Sequence, residues 1–185
     1  MEEWKLIEGC ERGESWAQKA IYELYAPSMM SVCQRYVSNR ETARDLMHDG
    51  FIKLFSKIHT YSGKGSFVGW VRKVFVTTAL EHLRRNDVLR HSIDVENMDV
   101  QYEESDTSVF EHLSNDDLLD CISRLPDKTR TVFNMYAIEG YKHVEIAAEL
   151  GINEGTSRSQ YARARQMLQK MVMEKVENMQ TVVGF

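Results

Sequence analysis

Proline is nearly absent from this 185-residue chain: Pro27 and Pro126 are the only two, so almost all of it is free to run in long helices. The cysteines are few as well. Cys10, Cys33 and Cys121 are odd in number and far apart, so they form neither a disulfide framework nor a metal-ligand cluster, which suits a reducing cytoplasm. No run approaches the ~20 apolar residues a membrane span needs. Met1-Glu2-Glu3 lacks the basic flank and apolar core of an export signal. Complete catalytic motifs are also missing. Gly63-Lys64-Gly65-Ser66 is close to a phosphate loop, but Ile58 stands where its first glycine is required and Gly65 where a hydroxyl is required. His143-Val144-Glu145 has deaminase spacing without the paired cysteines that complete a zinc site, so His143 is expected at the surface of a helix start. No nucleophile–base pair stands out. The expectation is a chain without catalysis, metal or cofactor.

Hydrophobic residues make up 43% and aromatics 10%, which supports packed cores rather than disorder. The net charge of -5 is unevenly spread. Residues 93–120 carry ten acids and no lysine or arginine, whereas 1–92 and 121–185 are each mildly basic. Phosphate affinity depends on charge within a Debye length of about 8–10 Å, so the overall acidity does not exclude a nucleic-acid partner.

The hydrophobic spacing predicts an all-α chain in two small helical domains joined by an acidic, flexible linker. Ser15 is a plausible N-cap for a helix burying Ala17, Ala20, Ile21, Leu24 and Tyr25. Pro27 is expected to kink or restart it before Met30, Cys33, Tyr36 and Val37. Ser38 and Glu41 have capping-box spacing, opening a helix that buries Ala43, Met47, Phe51, Leu54 and Ile58. After the turn at 61–65, Ser66 caps a helix with Phe67, Trp70, Val71 and Val74 on one face. The β-branched run Val76-Thr77-Thr78 predicts a break there. Beyond the acidic stretch, Ser114 or Asn115 caps a helix with the stripe Leu118, Leu119, Ile122 and Leu125. Leu125-Pro126-Asp127 then opens another, carrying Val132, Phe133 and Tyr136.

The most informative segment runs from Gly140 to Ile152 and into a basic helix. A short amphipathic helix, a turn at Gly151 and a second helix form the arrangement that sets side chains in a DNA major groove. On a wheel of about 100° per residue, Tyr161, Ala164, Leu168, Met171 and Val172 share an apolar stripe. Ser159, Ala162, Arg163, Gln166 and Lys170 lie nearly opposite, with Arg158 at the margin. Arg163 suits guanine, Gln166 suits adenine, and Ala162 is small enough to admit the DNA or touch a thymine methyl. Thr156, Lys142 and Arg165 sit where phosphate contacts would fix the register.

These motifs together resemble the extracytoplasmic-function sigma factors, of the sigma-70 family of bacterial RNA polymerase. Asp45-Leu46-Met47-His48-Asp49-Gly50-Phe51, Phe67-Val68-Gly69-Trp70-Val71-Arg72 and Leu83-Arg84-Arg85 are similar to region 2 of that family. Leu125-Pro126, Gly140-Tyr141-Lys142, Glu145-Ile146-Ala147, Leu150-Gly151, Gly155-Thr156 and Arg163-Ala164-Arg165 are similar to its region 4. The resemblance implies a dissociable, non-enzymatic subunit that binds core RNA polymerase and promoter DNA, with an anti-sigma factor as a further partner. It implies region 2 over 1–92, the linker over 93–113 and region 4 over 114–185. By the same resemblance Asp45, His48, Asp49 and Phe51 would dock on the polymerase. Thr77 would belong to the pocket for a flipped -10 base, Tyr61 would be the stacking candidate, and Lys64, Arg72, Lys73, Arg84 and Arg85 would hold the backbone. Arg158, Ser159 and Arg163 correspond to the family's -35 readers. His48 stands where the family often has Gln, Thr77 where Asn is frequent and Ser157 where Val is common. The alternative is a free-standing helix-turn-helix regulator.

Overall fold

A computed structural model of the chain describes residues 2–85 and 114–183. Among these residues every regular element is helical, and the chain divides into two compact units, Met1–Asn86 and Asp87–Phe185. The linker expected over 93–113 lies outside the described residues.

The first unit holds α1 (Glu3–Glu11), α2 (Ser15–Tyr36), α3 (Arg40–Lys57), a 3-10 turn (Ile58–Thr60) and α4 (Phe67–Arg85). Ala17, Ile21, Tyr25, Met29, Val32 and Tyr36 recur at helical spacing down one face of α2, and all are buried. Helix α3 adds Ala43, Leu46, Met47, Phe51 and Leu54, and α4 adds Phe67, Val71, Phe75, Ala79 and Leu83. Burial of these stripes drives the fold, at roughly 25 cal/mol per Å² of apolar surface removed from water.

Four local expectations are corrected. Helix α2 continues through Pro27 without a restart. Buried residues on both sides of the proline hold one face together, while Glu23, whose carbonyl loses its partner, lies on the exposed side where water can satisfy it. Leu24, expected in the stripe, is exposed on that same side. The cap of α3 is Asn39, not Ser38: its side-chain oxygen accepts the amides of Glu41 and Thr42 at 2.8 and 3.0 Å. Helix α4 does not break at 76–78. Val76 and Thr78 are buried, and the Thr78 hydroxyl donates to the Val74 carbonyl at 2.8 Å, so packing outweighs a propensity deficit of tenths of a kcal/mol. Ser66 does cap α4, accepting the Gly69 amide at 3.2 Å.

The second unit holds α5 (Asn115–Ser123), α6 (Asp127–Phe133), a π-helical turn (Asn134–Ile138), α7 (His143–Leu150) and α8 (Glu154–Val183). Ser114 caps α5 by accepting the Asp117 amide. Cys121, Ile122 and Leu125 pack with Ala164, Leu168 and Val172 of α8, and Leu118, Phe133 and Met171 flank them. Lys175 Nζ ties α8 to α5 through Asp117 at 2.8 Å and Asp120 at 3.1 Å. Buried Arg130 pairs with Asp127 and donates to the carbonyls of Ser123 and Leu125, each at 3.0 Å, which fixes the turn between α5 and α6. The π-helical turn was not anticipated. Within it Asn134 and Met135 are buried while Tyr136 is 38% exposed.

Candidate nucleic-acid interface

Gly151 ends α7 in the left-handed region, with φ at 66°, and so turns the chain tightly enough to start α8 three residues later. Asn153 opens α8 by accepting the Thr156 amide at 2.6 Å. Lys142 precedes α7 and stays exposed, its backbone amide donating to the Glu145 carboxylate at 2.7 Å. From α6, the Thr129 hydroxyl reaches Gln160 at 2.7 Å and helps set the pose of α8.

On α8 the sequence-derived face is largely assembled. Arg158, Ser159, Gln166 and Lys170 are exposed, and Arg163 and Arg165 are half-buried. Ser159, Arg163, Gln166 and Lys170 follow one another at three- and four-residue steps along one side. The Ser159 hydroxyl donates to the Thr156 carbonyl, and Arg158 pairs with Glu154 across one helical turn. Such an exposed pair is worth under about 1 kcal/mol. Two expectations fail. Ala162 is buried and cannot touch a base, because the core reaches further round α8 than the wheel allows. His143 is buried, not superficial: its ring lies on Tyr136 and its Nδ1 is 2.9 Å from the Ser157 hydroxyl.

In the first unit, Tyr61 is not a free platform. Its hydroxyl donates to the Gly65 carbonyl at 2.8 Å, and its ring packs on Phe67 and Trp70 with centroids 5.1 and 5.6 Å away. Phe67 is core, as its stripe predicted; Trp70 is half-buried and forms one wall of a cavity of about 170 Å³. Lys73 and Thr77 line the same cavity. Thr77 is exposed in the middle of α4 instead of at a helix break. Sequence reasoning missed two further walls, Lys53 and Lys57 of α3, and the carboxylate of Glu81. The lysine pair at four-residue spacing beside a turn was the available signal. Lys53 Nζ meets Glu81 at 2.5 Å and holds its carboxyl below the usual range, with Lys57 and Arg85 adding to the effect. Lys64, Arg84 and Arg85 are exposed and Arg72 is half-buried.

The third surface is on α3. Asp45, His48 and Asp49 are exposed on one side. Phe51 is not with them: it is 3% exposed and packs on Tyr22, Phe55 and Phe75. Two residues beyond Asp49, it is turned about 200° round α3 from that acid and shares a side with Met47 and Leu54. The apolar residue on the acidic side is Ile52, at 68% exposure.

Among the described residues no group of His, Cys, Asp and Glu could hold a metal ion, and no helix is long and apolar enough to cross a membrane.

The second unit carries a helix-turn-helix, the arrangement with which helical DNA-binding proteins enter a major groove. Residues 21–88 match the family described as Sigma-70 region 2, and residues 115–168 match Sigma-70, region 4. The chain is 30% identical over 179 residues to the ECF RNA polymerase sigma-E factor of Haemophilus influenzae, covering 90% of this chain and 93% of that protein. It is 24% identical over 176 residues to the RNA polymerase sigma-H factor of Pseudomonas aeruginosa, covering 90% and 91%. Its fold matches that of the sigma factor RpoE of Bartonella quintana, solved in complex with the anti-sigma factor NepR. The TM-score is 0.51 at 20% identity, over 84% of this chain and 96% of that one. The chain belongs to the extracytoplasmic-function sigma factors of the sigma-70 family. It is a non-enzymatic initiation factor that directs RNA polymerase to promoters.

Proposed function

We propose that the division of labour follows the two regions: residues 1–92 bind core polymerase and act on the -10 element, 93–113 connect, and 114–185 read the -35 element. The observation that carries this reading is the set Arg158, Ser159, Arg163 and Gln166, presented on α8 immediately after the Gly151 turn. Arg163 forks onto guanine and Gln166 onto adenine, while Lys142, Thr156 and Arg165 fix register on phosphates. In the first unit, Lys53, Lys57 and Lys73 surround a space bounded by Trp70 and Thr77, where cationic walls and an aromatic face offset the few kcal/mol of unstacking a base. Lys64, Arg72, Arg84 and Arg85 hold the adjoining backbone. Tyr61 acts by bracing Trp70.

Asp45, His48, Asp49 and Ile52 form the docking face for a basic helical segment of core polymerase, an apolar anchor ringed by charge. Phe51 supports that face from beneath. The protein works in the cytoplasm, where the polymerase is, and an anti-sigma factor regulates it, as one binds the Bartonella protein of like fold.

Selection of promoters from a random pool by core polymerase charged with this chain tests the proposal. Enriched -35 and -10 blocks are expected, and Arg163→Ala should relax one -35 position at a cost of about 1–3 kcal/mol. Equal weakening on unrelated DNA would reduce Arg163 to a phosphate contact.

A further inference from the structure

His143 opens α7, and Ser157 lies in the first turn of α8. The two meet across the Gly151 turn, with Nδ1 of the imidazole 2.9 Å from the Ser157 hydroxyl. Both are buried, at 8% and 0% exposure. The ring lies nearly parallel to Tyr136, with centroids 4.2 Å apart and planes inclined by 12°, and Tyr161 closes on it at 5.9 Å. An apolar pair would fill this seam equally well. A polar pair does something more: if α8 rotates, both groups lose their partner in a place water does not reach. The bond therefore selects one rotation of α8.

We propose that His143 is a positioning residue for promoter reading: through Ser157 it sets the rotation of α8 and so the aim of Ser159, Arg163 and Gln166. This rests on the -35 reading given above.

The surroundings disfavour a charged ring. From α8, Arg158 and Glu154 face it, paired with each other; from the π-helical turn and α8 come the neutral rings of Tyr136 and Tyr161. On α7 itself stand Lys142 and Glu145. The ring also sits where the amide ends of α7 and α8 come together, and both ends carry partial positive charge. Burial, and after it Arg158, hold the imidazole below its ordinary value of 6.5. A protonated ring would carry N–H on both nitrogens, so Nδ1 could only donate to the Ser157 hydroxyl, and a full positive charge would sit in the seam beside the two helix ends. Because reading DNA and keeping the ring neutral are linked, acidification must weaken -35 binding.

The test uses holoenzyme formed from the full chain and core polymerase, on a duplex carrying its selected promoter and on the same duplex with the -35 block scrambled. His143→Gln keeps an amide that can serve Ser157 but cannot be protonated. It should match the natural protein near about pH 7.5. Between about pH 7.5 and pH 5.5 the natural protein should lose roughly fivefold more affinity than the variant, on the intact duplex only. Parallel loss by the two proteins would overturn the positioning role. Indifference of both to scrambling would instead refute the -35 reading beneath it. Should His143→Gln fail to fold, nitrogen shifts of the His143 ring in the natural chain decide the matter. A neutral ring hydrogen-bonded at Nδ1 and titrating below 6.5 is expected, and one titrating at or above that value overturns the proposal.

Discussion

Gly50 of α3 faces Phe75 of α4 so closely that a Cβ added to the glycine would lie 2.4 Å from the ring. Phe75 is fully buried and cannot swing aside. The two helices that carry the exposed acids Asp45 and Asp49 and the lysine-walled cavity are therefore held at a separation only glycine allows. Gly50→Ala should destabilise the first unit by about 1–3 kcal/mol, read as a lower denaturant midpoint. Adding Phe75→Leu should recover part of the loss. An unchanged midpoint for Gly50→Ala would mean that the helices are not so tightly apposed.

Asp49 and Phe51 are two residues apart in sequence and should fail in different ways. Phe51→Ala empties a core site and should cost about 3–5 kcal/mol of stability. Asp49→Lys should leave unfolding unchanged and weaken binding to core polymerase. A titration in which Asp49→Lys binds core polymerase normally would discard the acidic face of α3 as the docking surface.

Lys53 and Lys57 were placed at the cavity by geometry alone. Replacing both with alanine should impair strand opening, seen as reduced permanganate reactivity of -10 thymines, while affinity for the -35 block stays the same. If opening persists, the cavity is not the -10 site.

Asp117 and Asp120 are held below the ordinary carboxyl value of 3.8, foremost by hydrogen bonds from Lys175. A carboxyl depressed in the folded state contributes stability above its unfolded value and loses it as pH falls through the folded one. The thermal stability lost on Lys175→Met should thus be visible at neutral pH, shrink as pH falls below 3.8, and shrink with added salt. A difference that persists in acid would show that Lys175 acts through its alkyl stem instead.

Much of this architecture could be read from periodicity. The buried stripe of α3, the burial of Ile122 and Leu125 (though not of Leu118 and Leu119), the Ser114 and Ser66 caps, and the turn at Gly151 follow from local spacing and side-chain chemistry. What was illegible depends on distant partners. The π-helical turn at Asn134–Ile138 has no local signal in the spacing. His143 reads as superficial until Tyr136 and Ser157 close over it. Thr77 reads as a helix breaker until packing of its neighbours Val76 and Thr78 carries α4 straight through. Phe51 belonged to the buried stripe on spacing and to the docking motif by resemblance. Its contacts with Tyr22 and Phe75 decide for the stripe.

The central claim, that both units act together on one promoter in the grip of RNA polymerase, is tested most directly by run-off transcription. Core polymerase, the full chain and a template bearing the selected promoter should yield a transcript that disappears when either the -35 or the -10 block is scrambled. A transcript indifferent to both blocks, or none with the intact template while core binding persists, would contradict it.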